Sequence, residues 1–445
     1  MTDVEIENLA SELEHSPAPT EPGRNGAVND LEAAEHFRSD IGYADAFVRQ
    51  HAGDVRFCAD EKLWLVFDEA HGWQRDDVGQ IKAIAADYAR ALYKSALAQA
   101  MTMDPDAGKR LIGNMAALGN RKRIDPALSF ASCNQSVVVR AEQLDADPLL
   151  VGVQNGVIDL RRGGFRQHRR QDLVTRRLAT AFDASAQSPT WDRFLTEVQP
   201  DAEMRKFLQR LAGYSITGEN REHVLPFHHG VGANGKGTCL EQVQLKLSGT
   251  YGAKLTDALV YASDRGHLPH LELANLCGKR FALGEENTEC GHLNEALLKS
   301  ITGGDRQKGR FHYGNFVEYF PTFKIALVGN HKPKINGTDD GIWRRFLLVD
   351  WPVQIAADKR DLFLKDKLAE EMPGILNWCI KGAQAWLAEG LKPPECCRTA
   401  TADFRERSDA LVGFQLANRG WQEFRSGHNR MKCWAGHRLN ANGYT

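Results

Sequence analysis

The chain has 445 residues, too many for one small scaffold and enough for two to four domains at roughly 100–200 residues each. Hydrophobic residues at 42% and charged residues at 26% exclude global disorder, while 56 Lys+Arg against 58 Asp+Glu leave a net charge of −2, so any polyanion must be held by local basic surface. No run approaches the roughly 18–20 apolar residues of a bilayer crossing, and Met1-Thr2-Asp3-Val4-Glu5 lacks a basic, then apolar, leader; a cytoplasmic chain with no membrane partner is expected.

Residues 1–40 hold ten acids against two arginines and read as a disordered acidic tail. Apolar pattern returns in a folded N-terminal domain over 45–185. Trp64-Leu65-Val66-Phe67 predicts a strand, and the spacing from Ile81 to Leu97 predicts a helix. Asn155-Gly156, set between two apolar runs, predicts a hairpin with a two-residue turn. Arg161 to Arg177 carries seven arginines against one aspartate, which fits a solvated basic face or a contact to nucleic acid or another subunit. Small polar residues from Ser185 to Pro189 mark the expected domain boundary, after which residues 189–412 alternate short apolar runs with helices, as in an α/β domain with a mostly parallel sheet. Residues 413–445 lose that periodicity, with five Lys/Arg and one acid, and read as an atypical basic tail, truncated or frame-shifted. The nine cysteines include no CxxC pair and read as buried or idle thiols.

Chemistry concentrates between Gly230 and Arg345. The run Gly230-Val231-Gly232-Ala233-Asn234-Gly235-Lys236-Gly237-Thr238 fits a phosphate-binding loop. Its glycines let backbone N–H groups turn inward on phosphate oxygens, Lys236 neutralises the β- and γ-phosphates, and the following helix presents its positive end. The hydroxyl that ligates Mg²⁺ usually follows the lysine directly; here Gly237 stands there, so Thr238 is the candidate. Pro226 interrupts the preceding apolar run, which predicts a strand beginning after it.

A second apolar run, Phe281-Ala282-Leu283-Gly284, ends in Glu285-Glu286, which predicts Glu285 toward Mg²⁺ and Glu286 as the base for water, because strand alternation points them apart. A third run ends at Asn330, either a γ-phosphate contact or a turn residue before Lys332-Pro333. Arg344-Arg345, before a further strand, are either paired with local aspartates or an arginine finger reaching across a subunit boundary. Lys308, Arg310 and His312, near Tyr313 and Gly314-Asn315, predict a hairpin, either an ordinary exposed one or one that grips single-stranded backbone and stacks bases.

This ordered set resembles the superfamily 3 helicases and, more closely, the phage and plasmid primase-helicase family with its poxvirus-type nucleoside triphosphatase relatives. The matching residues are Gly230 to Thr238, His270 to Ala274, Gly278-Lys279-Arg280, Glu285-Glu286, Thr302 to Asp305, Asn330 and Gly341 to Arg345, with Trp64 to Phe67 and Asn155 to Leu160 upstream. The resemblance implies a P-loop, AAA+-like α/β ATPase domain preceded by a mainly helical domain. It implies ATP and Mg²⁺ as cofactors, a homo-hexameric ring with ATP sites between subunits, and a single DNA strand in its channel. Asn330 would be the polar sensor and Arg344 or Arg345 the finger. The function expected is an ATP-dependent 3′→5′ DNA helicase of a phage, prophage or plasmid in a bacterial cytoplasm, without an evident primase module. The alternatives are a P-loop nucleotide phosphotransferase and a decayed, non-catalytic replication factor.

Overall fold

The computed structural model describes residues 39–262, 270–285, 291–310, 316–335 and 340–408; the acidic tail over 1–38 and the basic tail from 413 lie outside them. Chain contacts define two units, one of Met1–Leu144 with Arg169–Leu173, the other of Asp145–His168 with Val174–Thr445.

In the first unit, helix α1 (Asp40–His51) begins where the Ser39 hydroxyl accepts the Gly42 N–H, a side-chain cap for one otherwise orphaned donor. Strands β1 (Val55–Cys58), β2 (Leu63–Asp68) and β3 (Gly72–Arg75) follow as an antiparallel meander. The long α2 (Gln80–Ala100) buries Ile81, Ala85, Tyr88, Ala89, Leu92 and Ala96 on one stripe, its alanines allowing close approach to α3 (Pro105–Leu118) and α4 (Arg121–Ala131). Short β4 (Val138–Val139) closes the sheet in the order β3-β2-β1-β4. This unit is therefore mixed, a four-stranded sheet beside its helices. The excursion Arg169–Leu173 belongs to it because Arg170 pairs with Asp54 at 2.9 Å and Glu69 at 2.7 Å, while its carbonyl accepts Trp73 Nε1 at 2.8 Å.

The second unit opens with an antiparallel sheet of β5 (Leu150–Val153), β6 (Gly156–Asp159) and β7 (Gly164–Arg166). Its turn is Gln154-Asn155, with Val153 opposite Gly156, one residue earlier than the sequence predicts. Gly156 is needed inside the strand: a Cβ there would lie 2.4 Å from the Arg166 carbonyl oxygen of β7. The boundary expected at Ser185 to Pro189 lies inside this unit, because Val151, Val153 and Ile158 share one core with Trp191 and Phe194 of α5 (Pro189–Val198).

Helix α6 (Ala202–Ile216) leads to β8 (Leu225–His229), an inner strand of a five-stranded parallel sheet that includes β9 (Gly252–Lys254) and β10 (Phe281–Glu285). After α7 (Glu295–Gly303) the hairpin strands β11 (Gln307–Arg310) and β12 (Phe316–Tyr319) precede β13 (Lys324–Gly329) and β14 (Phe346–Asp350). The large sheet runs β14-β8-β13-β10-β9, every neighbour parallel. β8 begins at Leu225, before Pro226. Leu225 N–H bonds the Arg345 carbonyl on the β14 side, so alternation turns the missing donor of Pro226 toward β13, whose pairing starts only at Phe227. Helices α8 (Leu364–Glu370) and α9 (Met372–Glu389) follow and add Leu368, Ile375, Leu376, Cys379 and Trp386 to the core. α9 crosses α6 at two glycines: a Cβ on Gly213 would fall 2.0 Å from Ala383 N, and one on Gly382 would fall 1.9 Å from the Gln209 carbonyl oxygen.

Two cations are buried under the sheet. Arg280 donates to the carbonyls of Ile216 (2.9 Å) and Leu150 (2.8 Å) and lies over the Tyr251 ring. Lys324 bonds the carbonyls of Thr217, Thr322 and Glu219, and burial, with Arg280 nearby, pushes its pKa well down. Among the described residues no helix is long and apolar enough to cross a membrane.

Candidate functional site at the carboxyl edge of the parallel sheet

Because every strand of the large sheet points the same way, the residues that follow their carboxyl ends gather along one edge. Glu285 pairs with Val328, and Gly329 with His229; the register therefore sets Glu285, Asn330 and the Gly230–Thr238 loop beside one another. The loop runs straight from β8 into a helix π-wound over Thr238–Leu245 and α-wound over Lys246–Ser248. Gly232, Ala233 and Gly235 all have φ between +51° and +84°, the left-handed curl that turns N–H groups to the concave side. Gly235 is further required by packing, since a Cβ would stand 2.9 Å from both Phe194 and Val198 of α5. Gly237, by contrast, faces open space.

Lys236 is only 4% exposed, and its ammonium donates to the Gly230 carbonyl and to Asn330 Oδ1 at 2.9 Å. Asn234 is buried behind the loop, aimed at the Trp351 carbonyl. A cavity of about 470 Å³ opens in front, lined by Lys236, Thr238, Glu285, Asn330 and the loop backbone. Ala233, Gly235 and Thr238 also line a second cavity of about 470 Å³, walled by Thr190, Arg193 and Glu197 of α5 and by residues between Ile355 and Lys365.

The structure thus brings Gly230, Gly232, Ala233, Asn234, Gly235, Lys236, Gly237, Thr238, Glu285 and Asn330 together. Glu286 and His312 lie outside the described residues, as do Tyr313 and Gly314-Asn315. Arg344 and Arg345 are at the opposite edge, before the amino end of β14 and roughly 15 Å of strand away from the loop. They differ from each other. Arg345 is half-buried, donates to the Gly341 carbonyl at 2.7 Å, and has its pKa lowered by burial and by Arg344. Arg344 is exposed, with no side-chain partner among the described residues.

On the hairpin, β11 alternates: Gln307 and Gly309 are buried, Gly309 against Ala274 at a separation no Cβ would tolerate, while Lys308 and Arg310 face out. Lys308 Nζ and the Arg310 guanidinium stand 5.0 and 5.4 Å from the ring of exposed Phe316, and Lys308 also pairs with Glu318. Three arginines of the run over 161–177 have partners here: Arg161 pairs with Asp147 at 2.7 Å, Arg170 with Asp54 and Glu69, and Arg176 bonds the carbonyls of Cys277 and Thr250.

Several residues of this edge have no sequence motif. Lys254 on β9 bridges Glu285 at 3.2 Å and Glu241 at 2.5 Å. His229 bonds Asp350 at 2.8 Å and holds that carboxyl below the usual range. His228, fully buried beneath the loop, accepts the Trp351 indole N–H at 3.2 Å; burial first, then the charge of Lys236, bring its pKa down to about 3. Only the parallel pairing of β8 with β14 could have announced the His229–Asp350 pair, and that pairing is not local in sequence.

Comparison with known proteins bears on the same regions. A family model described as "D5 N terminal like" matches residues 44–200, from α1 through α5. The chain is 27% identical over 294 residues to the "Putative helicase" L207/L206 of Acanthamoeba polyphaga mimivirus, a match over 61% of this chain and 30% of that protein. It is 24% identical over 287 residues to the similarly named 184R of Invertebrate iridescent virus 6, covering 59% of this chain and 28% of that protein. The chain thus spans under a third of the length of these relatives. The apo C-terminal region of NrS-1 superposes with a TM-score of 0.46 at 11% identity, over 84% of this chain and 74% of that one. The chain resembles phage and viral primase-helicases, as the order of its motifs implies.

Proposed function

We propose that this chain is an ATP-dependent DNA helicase or translocase of a replicating mobile element, hydrolysing ATP at the boundaries between subunits of a homo-hexameric ring. The observation that carries the reading is the set of Lys236, Asn330, Thr238 and Glu285 around one cavity beneath a loop of left-handed residues. The residues fit a magnesium nucleotide. The Gly230 carbonyl and Asn330 Oδ1 hold the Lys236 ammonium where phosphate oxygens would replace them. Thr238 and Glu285 would hold Mg²⁺, which when bound neutralises charge on the transferred phosphoryl group. To hold the metal Glu285 would give up its exposed pairing with Lys254, a small loss because both partners are well solvated. Glu286 takes the proton of the attacking water, and Asn330 senses the terminal phosphate.

Similarity to viral helicases supports DNA as partner. Lys308 and Arg310 with Phe316 supply a cationic and aromatic face suited to a single strand. The distance of Arg344 from its own loop supports action on a neighbouring subunit. Hydrolysis by the purified chain, with and without single-stranded DNA and alongside its mass in solution, tests the whole. DNA-stimulated turnover in a ring-sized species is expected. Turnover by a monomer indifferent to DNA points to a phosphotransferase, and no turnover at all points to a decayed replication factor.

A further inference from the structure

Beyond the residues of the loop, we infer that Lys365 is a second phosphate-binding cation of the same subunit, closing over the bound nucleotide where the two cavities meet; this rests on the nucleotide reading above. Four residues line both cavities: Ala233, Gly235, Thr238 and Lys365. Three of them belong to the loop, and Lys365 is the cation among them. A chain of phosphates lying across the loop from one cavity into the other passes through that junction. Its β-phosphate then falls beside Lys365, and its terminal one beside Lys236 and Asn330.

The local structure holds Lys365 ready. Its helix α8 is anchored by Leu368, 1% exposed in the main core with Leu240 and Val243. The segment before it is tied to the loop where Ile355 N–H bonds the Ala233 carbonyl at 2.8 Å. Asp361, four residues before it, accepts from Phe363 N–H and from Lys367. Lys365 itself is exposed and makes no hydrogen bond or ion pair among the described residues. The acid that faces it, Glu241, is paired with Lys254, and Lys254 chiefly, then Lys365 from farther away, hold that carboxyl below its usual range. A triphosphate brings about four negative charges, more than Lys236 and one Mg²⁺ cancel, so a further cation has work to do there.

The test is calorimetric titration of the full-length protein with ADP, a non-hydrolysable ATP analogue and AMP in the presence of Mg²⁺, using Lys365→Ala, Lys365→Glu and Lys365→Arg with Lys236→Met as control. Lys365→Ala is expected to weaken ADP and the ATP analogue alike by about tenfold, the value of one charge-assisted contact, with Lys365→Glu weaker still and Lys365→Arg close to wild type. AMP should be weakened far less. Unchanged ADP affinity in Lys365→Ala, with binding abolished in Lys236→Met, overturns this inference and leaves the nucleotide reading standing. A loss confined to the ATP analogue also overturns it, because it moves the cation to the terminal phosphate. If wild type and Lys236→Met behave alike, the nucleotide reading itself falls.

Discussion

His228 makes the second unit acid-sensitive in a way that can be isolated. Its imidazole is fully buried, its pKa is lowered from 6.5 to about 3, and it accepts the Trp351 indole N–H at 3.2 Å, so the fold requires it neutral. A histidine whose folded pKa lies below its unfolded value contributes no pH dependence above about 6.5; as pH falls from there toward about 3 the unfolded chain takes up a proton that the folded chain refuses, and stability is lost. The slope approaches about 1.4 kcal/mol per pH unit, which integrates to about 2 kcal/mol between pH 7 and pH 5. The perturbation is His228→Asn, whose amide oxygen still accepts from Trp351 but does not titrate. Denaturant unfolding at pH 7 and pH 5 should show the variant losing about 2 kcal/mol less than wild type on acidification. Selective histidine labelling should in parallel show one imidazole still neutral at pH 5. Equal losses in both proteins, or the absence of such an imidazole, would refute the reasoning.

Lys236→Met should abolish nucleotide binding with near-native circular dichroism, and Glu286→Gln should retain binding while turnover falls at least a hundredfold, as measured by titration and phosphate release. Arg344→Ala should remove cooperative turnover without lowering the melting temperature, and mixing it with Glu286→Gln chains should give non-linear inhibition; simple dilution would dismiss a shared site. Arg345→Ala should instead destabilise the fold, since it removes a half-buried guanidinium and its hydrogen bond to the Gly341 carbonyl. Gly382→Ala should force α6 and α9 apart at a cost of about 1–3 kcal/mol, seen as a lowered unfolding midpoint, whereas Gly237→Ala, whose Cβ meets nothing, should not.

Much of the candidate site was legible because its signals are local. Left-handed glycines, a lysine and apolar runs closed by Glu285 or Asn330 are neighbours in sequence before they are neighbours in space. Four strands of the parallel sheet were legible for the same reason: five- to six-residue apolar runs separated by helices leave few alternatives. What escaped depends on register and on packing. Lys254 meets Glu285 only because β9 lies beside β10, and Lys365 reaches the loop only because α8 returns over it. The hairpin turn shifted by one residue because β7 covers Gly156, a neighbour that the Asn-Gly pair does not encode. The division by contacts falls elsewhere than the polar stretch at Ser185 to Pro189 for a related reason: composition marks where the chain is small and polar, while contacts follow which apolar faces share a core.

The guanidinium of Arg280 gives that last difference a practical edge. It draws together the Leu150 carbonyl of the small antiparallel sheet and the Ile216 carbonyl at the end of α6, across a span of the chain that a composition-based cut at Pro189 would sever. A fragment beginning there would retain every phosphate-loop residue yet uncover Val151, Val153 and Ile158's core partners and leave a buried cation short of an acceptor. The parallel sheet therefore travels with its antiparallel sheet from Asp145 onward, while the excursion Arg169–Leu173 stays with the first unit, so no single cut parts the two.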